Sequence, residues 1–533
     1  MKMKKTMIFA LLVSVIASVS AANKLATDYY QAGEYQTAKA HFLAGNVDAM
    51  DSYYLGQIYF IQNKKDSAQY YFNKGLQLDP TNAYNSIGLA ALKISTDPKT
   101  ADNDLKVISK LKTYKKDAVL LTAIAEAYQL NGNDAQANTY LTKAKSANKK
   151  CALPYILEGD KFAAQKNNGE AAVRYENAIY FDPNSKAALL KLANLYESTR
   201  TQMAFDYLRK AIEVDPQYAI GYATLGEMSY RKGFYPQAME SYEKYLSLVK
   251  PTTNDYAQYA TILYFNKQYA KALEAINKAP KGYVMDRLKM YSLYELGNLS
   301  DASAVGSEFM KSTNVKDVIS KDYSTYAKIL SKEKKYEESA SNYELAYNSD
   351  TTTISYISDA AKAFEKAKNY TKAIQNYEKA ISKNPTHSMA DIYTLGGAYY
   401  NAGLDSVTTK DKAQRKAFLQ KADSTFNSMS TLFPDHYLGA LSAARTNSAL
   451  DPETTQGLAK PYYEKALAIM LPSLAERKNE ILECYRYLGY YYYVKNQLAQ
   501  SKTYWNKVLE IDPTDNVSLQ VIKNIDIQTK KGK

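Results

Sequence analysis

Tyrosine stands out among the side chains of this sequence that could do chemistry: 51 Tyr, against 14 Phe and a single Trp, Trp505. A phenol fills space as Phe does, yet can leave its hydroxyl in water or on a ligand. The residues that usually carry catalysis are few and scattered. His41, His387 and His436 each stand alone, and Cys151 and Cys484 are far apart in the chain. No His-x-x-x-His, Glu-x-x-His or paired-Cys spacing occurs, so zinc and di-iron readings fail. There is neither a Gly-x-x-x-x-Gly-Lys-Ser/Thr phosphate loop nor a Gly-x-Ser-x-Gly elbow. Acids such as Glu337 and Glu338 fall at a turn and in the first helical turn beyond it, where the helix dipole suits them. The chemistry on offer is recognition. No enzyme activity, no cofactor and no metal is expected.

The elements that must position these side chains recur about every 34 residues. Leu55-Gly56-x-x-Tyr59, then Ala68-x-x-x-Phe72, then Asp79-Pro80 make one complete unit. The Ala-x-x-x-aromatic step returns at Ala38/Phe42, Ala171/Tyr175, Ala238/Tyr242, Ala373/Tyr377, Ala422/Phe426 and Ala459/Tyr463. Residues four apart share a helix face. The small one admits a neighbouring helix and the large one fills the adjacent gap. Ala68, Ala171, Ala238 and Ala373 are therefore expected to be buried at helix–helix contacts. Leu-Gly-x-x-Tyr returns at Leu395-Gly396 and Leu488-Gly489. Proline gives an independent ruler, because it ends a helix where the chain turns to the next unit. Pro183 and Pro216 stand 33 residues apart, and Pro216 and Pro251 stand 35 apart. That spacing excludes a continuous coiled coil.

These motifs resemble the tetratricopeptide repeat (TPR) family over nearly the whole chain. The resemblance implies an all-α TPR solenoid, a right-handed superhelix of antiparallel helix pairs with about fourteen units. Weak units are expected at 82–116 and at 283–315, where Gly306 replaces the aromatic. The ruler is broken by extra residues near 404–415, 450–457 and 470–479, either as loops on one face or as helix extensions. The expected organisation is a leader over 1–22, an N-terminal array over 23–315, a C-terminal array over 316–529 and a basic tail over 530–533.

In this family the first helix of each unit lines a concave groove. Carrying its groove position over residue by residue selects Phe60, Tyr230, Tyr264 and Tyr400. Tyr493 follows, with Tyr490 on the same helix face. These rings either contact a ligand or only pack. The family's carboxylate clamp is not expected: Asn194 matches, but Leu190, Ile220 and Thr224 stand where its other polar residues would be.

Lys2, Lys4 and Lys5 precede an apolar run from Met7 to Ala17 and a small-residue end at Ala21-Ala22. That is the pattern of a secretory leader, and the run is shorter than the ~20 residues of a spanning helix. No cysteine follows to carry a lipid. The expected location is exported, periplasmic or outer-membrane-associated and not a lipoprotein, with no transmembrane span after leader cleavage. Formal charge is +13. Lys106, Lys110, Lys112, Lys115 and Lys116 form its densest run, read as a solvated face or an anion-facing patch. Nucleic acid is not an expected partner. The function expected is a non-catalytic protein-binding scaffold of the cell envelope that holds a protein or extended peptide in the groove. The alternative is a periplasmic glycan-binding protein using the tyrosine-lined groove.

Overall fold

The computed structural model describes residues 24–384 and 388–531. The leader, His387 and the last two residues of the tail lie outside them. Among the described residues all regular structure is helical, and the chain forms an all-α solenoid of stacked helix pairs.

Two compact units meet in sequence at Pro280–Lys281. Unit one holds α1 (residues 24–32), α2 (Tyr35–Ala44), α3 (Ala49–Ile61), α4 (Lys65–Leu78), α5 (Ala83–Lys93), α6 (Pro98–Lys110), α7 (Ala118–Leu130), α8 (Asp134–Ala147), α9 (Leu153–Ala164), α10 (Asn168–Phe181), α11 (Lys186–Tyr196), α12 (Thr201–Val214), α13 (Ala219–Arg231), α14 (Tyr235–Leu248), α15 (Thr253–Phe265) and α16 (Tyr269–Ile276). Unit two holds α17 (Tyr283–Glu295), α18 (Leu299–Ser312), α19 (Ser320–Lys332), α20 (Tyr336–Ser349), α21 (Ser355–Lys366), α22 (Tyr370–Lys383), α23 (Met389–Leu404), α24 (Lys412–Leu432), α25 (Tyr437–Leu450), α26 (Lys460–Met470), α27 (Lys478–Val494), α28 (Leu498–Ile511) and the closing α29 (Asn516–Lys531). The boundary expected at 315 lies one helix pair beyond Pro280.

The repeat motif explains the packing. Ala68, Ala171, Ala238 and Ala373 have no exposed surface, as their spacing requires. Phe72 lies between two glycines: a Cβ on Gly56 or on Gly88 would come within 2.3 Å of its ring. The second helix of one pair thus seats its aromatic between the first helices of two successive pairs. Gly396 stands in the same relation to Phe426, and Gly489 to Trp505. Some helix starts are sealed by a local side-chain cap. Asp48 accepts from the Asp51 amide at 2.8 Å while Asp51 accepts from the Asp48 amide at 3.1 Å, a reciprocal cap for α3. The turn from α3 to α4 uses Asn63 in the left-handed region, φ 58°, a conformation Asn tolerates better than most residues.

Several of the irregular stretches carry contacts of their own. In the weak pair α17/α18, the place of the missing aromatic at Gly306 is taken by the Tyr326 ring from α19, which would meet a Cβ there at 2.5 Å. The surplus near 404–415 goes largely into helix: α23 has 16 residues and α24 has 21. In the short loop between them, Asp405 accepts from the Val407 amide at 2.9 Å. Near 450–457, Asp451 accepts from the amides of Gln456 and Gly457 at 2.9 and 2.7 Å. Near 470–479 a 3-10 turn, Leu471–Ser473, leads into α27.

Candidate functional site

The odd-numbered helices of unit one share a face, and α1 lies across it. Ala26 and Tyr29 of α1 join the same apolar core as Leu189, Leu192 and Leu225, far along the chain. Polar contacts fix the placement. Lys186 at the start of α11 sits between Asp28 at 2.9 Å and Asp215 at 2.6 Å, over the Tyr218 ring. Lys24 reaches Asp215 at 2.8 Å. The hydroxyls of Tyr29 and Tyr245 lie 3.2 Å apart, and Tyr245 donates to Asp255 at 2.9 Å. Burial alone would raise both carboxyls of this ladder. It wins at Asp28, whose pKa is raised. At Asp215 two ammonium groups overcome it and hold the carboxyl at about 2.

Beneath α1 lies a cavity of ≈ 120 Å³. Tyr30 of α1, Tyr35 of α2, Tyr53 and Tyr54 of α3 and Tyr84 of α5 line it, together with Glu126 of α7, Asp160 of α9 and Lys191 of α11. Tyr30 donates to Glu126 at 3.3 Å. Asp160 is better served, by Tyr175 at 2.7 Å and Lys191 at 2.9 Å. Desolvation pushes the Glu126 carboxyl up to about 7, beyond what the Tyr30 hydrogen bond offsets. The Tyr35 and Tyr54 phenols rise to about 12, again chiefly through burial. They remain protonated hydroxyls at any physiological pH.

Unit two carries a trough of ≈ 320 Å³ on its odd-numbered helices. Glu365 of α21, Tyr393, Thr394, Tyr400 and Asn401 of α23, Phe426 of α24, and Ser442 and Arg445 of α25 line it. Asn401 donates to Glu365 at 2.7 Å. Arg445 grips Glu483 of α27 in bidentate fashion, at 2.9 and 2.7 Å. Burial raises the Tyr400 phenol.

The residues selected from sequence fall in several places. Tyr400 is a trough wall. Tyr490 is 43% exposed on α27, while Tyr493 accepts from Gln528 of α29 at 3.1 Å. Phe60 is half-buried against the core of α3–α8. Tyr230 and Tyr264 both contact Phe265, with ring centroids 5.4 and 5.3 Å away. The Glu126 cavity was not among the sequence-based candidates. Its one legible signal was a lone acid inside the apolar run Ala118–Tyr128.

Four lysines of the basic run, Lys106, Lys110, Lys115 and Lys116, line one cavity of ≈ 830 Å³ with Lys143 of α8. Asp102 in its wall is held by the Tyr128 hydroxyl at 2.7 Å. Both cysteines are free thiols, Cys484 buried and Cys151 half-buried. Among the described residues no helix is long and apolar enough to cross a membrane. No group of three or more His, Cys, Asp or Glu side chains among them is placed to hold a metal ion.

Two family models, both described as tetratricopeptide repeat, match residues 50–82 and 357–387. The chain is 31% identical over 88 residues to small glutamine-rich tetratricopeptide repeat-containing protein 2 of Mycosarcoma maydis, covering 16% of this chain and 25% of that protein. It is 23% identical over 203 residues to the mitochondrial import receptor subunit TOM70 of Homo sapiens, covering 37% of this chain and 33% of the receptor. It thus spans a quarter to a third of the length of these curated relatives. Among solved structures, the C-terminal part of a TPR repeat-containing protein from Cytophaga hutchinsonii is 31% identical, with 50% of this chain and 99% of that chain covered and a TM-score of 0.40. Proteins of this kind are in general non-catalytic scaffolds for protein interaction, and with its helix pairs and their Ala–aromatic register this chain belongs to the tetratricopeptide repeat family.

Proposed function

We propose that this protein is a non-catalytic scaffold of the cell envelope that holds an extended peptide segment of a protein partner along the odd-numbered helices of unit two. The observation that carries the reading is the Tyr400 trough. Its wall includes the exposed ring of Tyr393 beside the half-buried ring of Tyr400. Such rings bury much apolar area at small entropic cost, as binding hot spots do. The polar groups of Thr394, Asn401 and Ser442 stand along the same trough and suit a peptide backbone. The Arg445–Glu483 pair offers one charge of each sign to a partner's side chains. The envelope location rests on the leader-like start, Lys2, Lys4 and Lys5 ahead of Met7–Ala17.

Affinity capture from envelope extracts, with wild type and with the double variant Tyr393→Ala/Tyr400→Ala, tests the reading. Wild type should retain a protein, and the variant should bind it weaker by roughly 2 kcal/mol or more with helix content unchanged. Equal retention by the folded variant removes the trough from the function. Retention of a polysaccharide instead of a protein would favour the glycan-binding alternative.

A further inference from the structure

We infer that the Glu126 cavity of unit one is a receptor for a primary alkylammonium group, the head of an amine or of a lysine side chain. The site is separate from the unit-two trough and does not depend on it. Its size comes first: ≈ 120 Å³ is room for roughly four water molecules, or for an ammonium and a few methylenes. Its walls come next. Tyr30, Tyr35, Tyr53, Tyr54 and Tyr84 surround the space, and phenol rings attract a cation to their faces.

Charge decides the sign of the ligand. Glu126 and Asp160 face Lys191, which leaves one carboxylate in excess. Lys191 is committed to Asp160 at 2.9 Å, and Asp160 accepts from Tyr175 as well. Glu126 receives a single long hydrogen bond, from Tyr30 at 3.3 Å. A carboxylate held in such a place without a basic partner is costly, and a cation placed beside it removes the cost. An anionic guest would meet the excess negative charge, and a neutral one would leave Glu126 as it is. Val119, 44% exposed at the edge of the lining, marks the side open to solvent.

The receptor is switched by proton occupancy. The groups facing Glu126 are Asp160 and Lys191 from α9 and α11, and the phenols of Tyr30, Tyr35, Tyr53 and Tyr54 from α1, α2 and α3. The net effect is a carboxyl that ionises near 7. Ammonium binding strengthens as pH rises through that value, because only the carboxylate pairs with the cation.

Calorimetric titration of the full chain with n-butylammonium chloride, n-butanol and sodium butyrate, at pH 8 and pH 6, tests this. One-site binding of butylammonium is expected, with a dissociation constant on the order of 1 mM. It should be about tenfold weaker at pH 6, with no saturable heat from butanol or butyrate. Glu126→Gln should abolish binding, and Glu126→Asp should weaken it while keeping the pH dependence. The inference is overturned if butylammonium gives no saturable heat at about 10 mM, if butanol binds as well as butylammonium, or if affinity is the same at both pH values. Those three readings use wild type alone, so they stand whether or not the variants fold.

Discussion

In unit one a hydrogen bond joins Tyr29 to Tyr245 across 216 residues of chain. In unit two Arg445 meets Glu483 across 38 residues, and Arg287 meets Asp322 across 35. Both units are stacks of the same helix pair, and in such stacks each layer is expected to touch only its neighbours. Unit two's ion pairs follow that rule: among the described residues they are either local, as Lys362–Asp359 and Lys460–Glu464 are, or reach only a neighbouring helix pair, as Lys368–Asp405 and Arg445–Glu483 do. Unit one departs from it, because its first helix returns to pairs late in the same unit. The difference lies in what covers the odd-numbered helices. In unit one, α1 brings Lys24, Asp28, Tyr29 and Tyr30 onto Asp215, Lys186, Tyr245 and Glu126. In unit two the corresponding face carries the trough at Tyr400. A repeat array can therefore spend its inner face on closing itself or on presenting a groove.

The sharpest way to break this contrast is Lys186→Met. It strips Asp28 of its ammonium partner and leaves Asp215 with Lys24 alone, and removing one partner of a buried ion pair is strongly destabilising. We expect a loss of roughly 4–5 kcal/mol, read by chemical denaturation. Hydrogen exchange should rise in α1 and in α13–α14 together. A rise confined to α11 would mean that α1 does not close the unit.

Asp322 is the matched test in unit two. It is fully buried, accepts from both Arg287 Nε and Nη2 at 2.8 Å, and caps the Ile319 amide at 2.9 Å. Asp322→Ala should cost roughly 3 kcal/mol, with increased exchange confined to α17–α20. Exchange spreading to α27 would show that unit two is as cooperative as unit one.

Ala68→Leu and Ala373→Leu probe what the units share. Each alanine is fully buried where two helices approach, so the added side chain overpacks the layer by roughly 1–3 kcal/mol. Comparable losses in both units are expected from thermal unfolding. A cost in one unit only would mean that the Ala–aromatic step does different work in the two arrays.

The smallest effect is on acid stability. Asp215 is held at about 2, below its usual 3.8, so its pairing stabilises unit one above 3.8 and is lost as pH falls through 2. Asp28 is shifted the other way by burial and offsets part of this. Wild type should lose more stability between pH 4 and pH 2 than Lys186→Met does. Parallel pH profiles would remove the ladder from the acid response.

How much of this was legible beforehand varies by residue. Ala68, Ala171, Ala238 and Ala373 were placed correctly because helical spacing is a local property. Tyr400 was placed on its helix face by the repeat register, and the trough around it needed Arg445 and Phe426 from later helices. Tyr230 and Tyr264 stood in the same register, yet both rings rest on Phe265, a neighbour the groove rule does not consider. Gly306 looked like a defect, and Tyr326 from the next pair fills it.

The sequence by itself determined the helix pairs, their order and which small and large residues meet, since each follows from contacts within about 40 residues. Only the tertiary structure decided that α1 closes on α11–α14 and that five tyrosines surround Glu126. Both depend on the curvature of unit one, the sum of small rotations between successive pairs. No single motif encodes that sum, so Lys24, Asp28, Tyr29 and Tyr30 read as an ordinary first helix until the array is built around them.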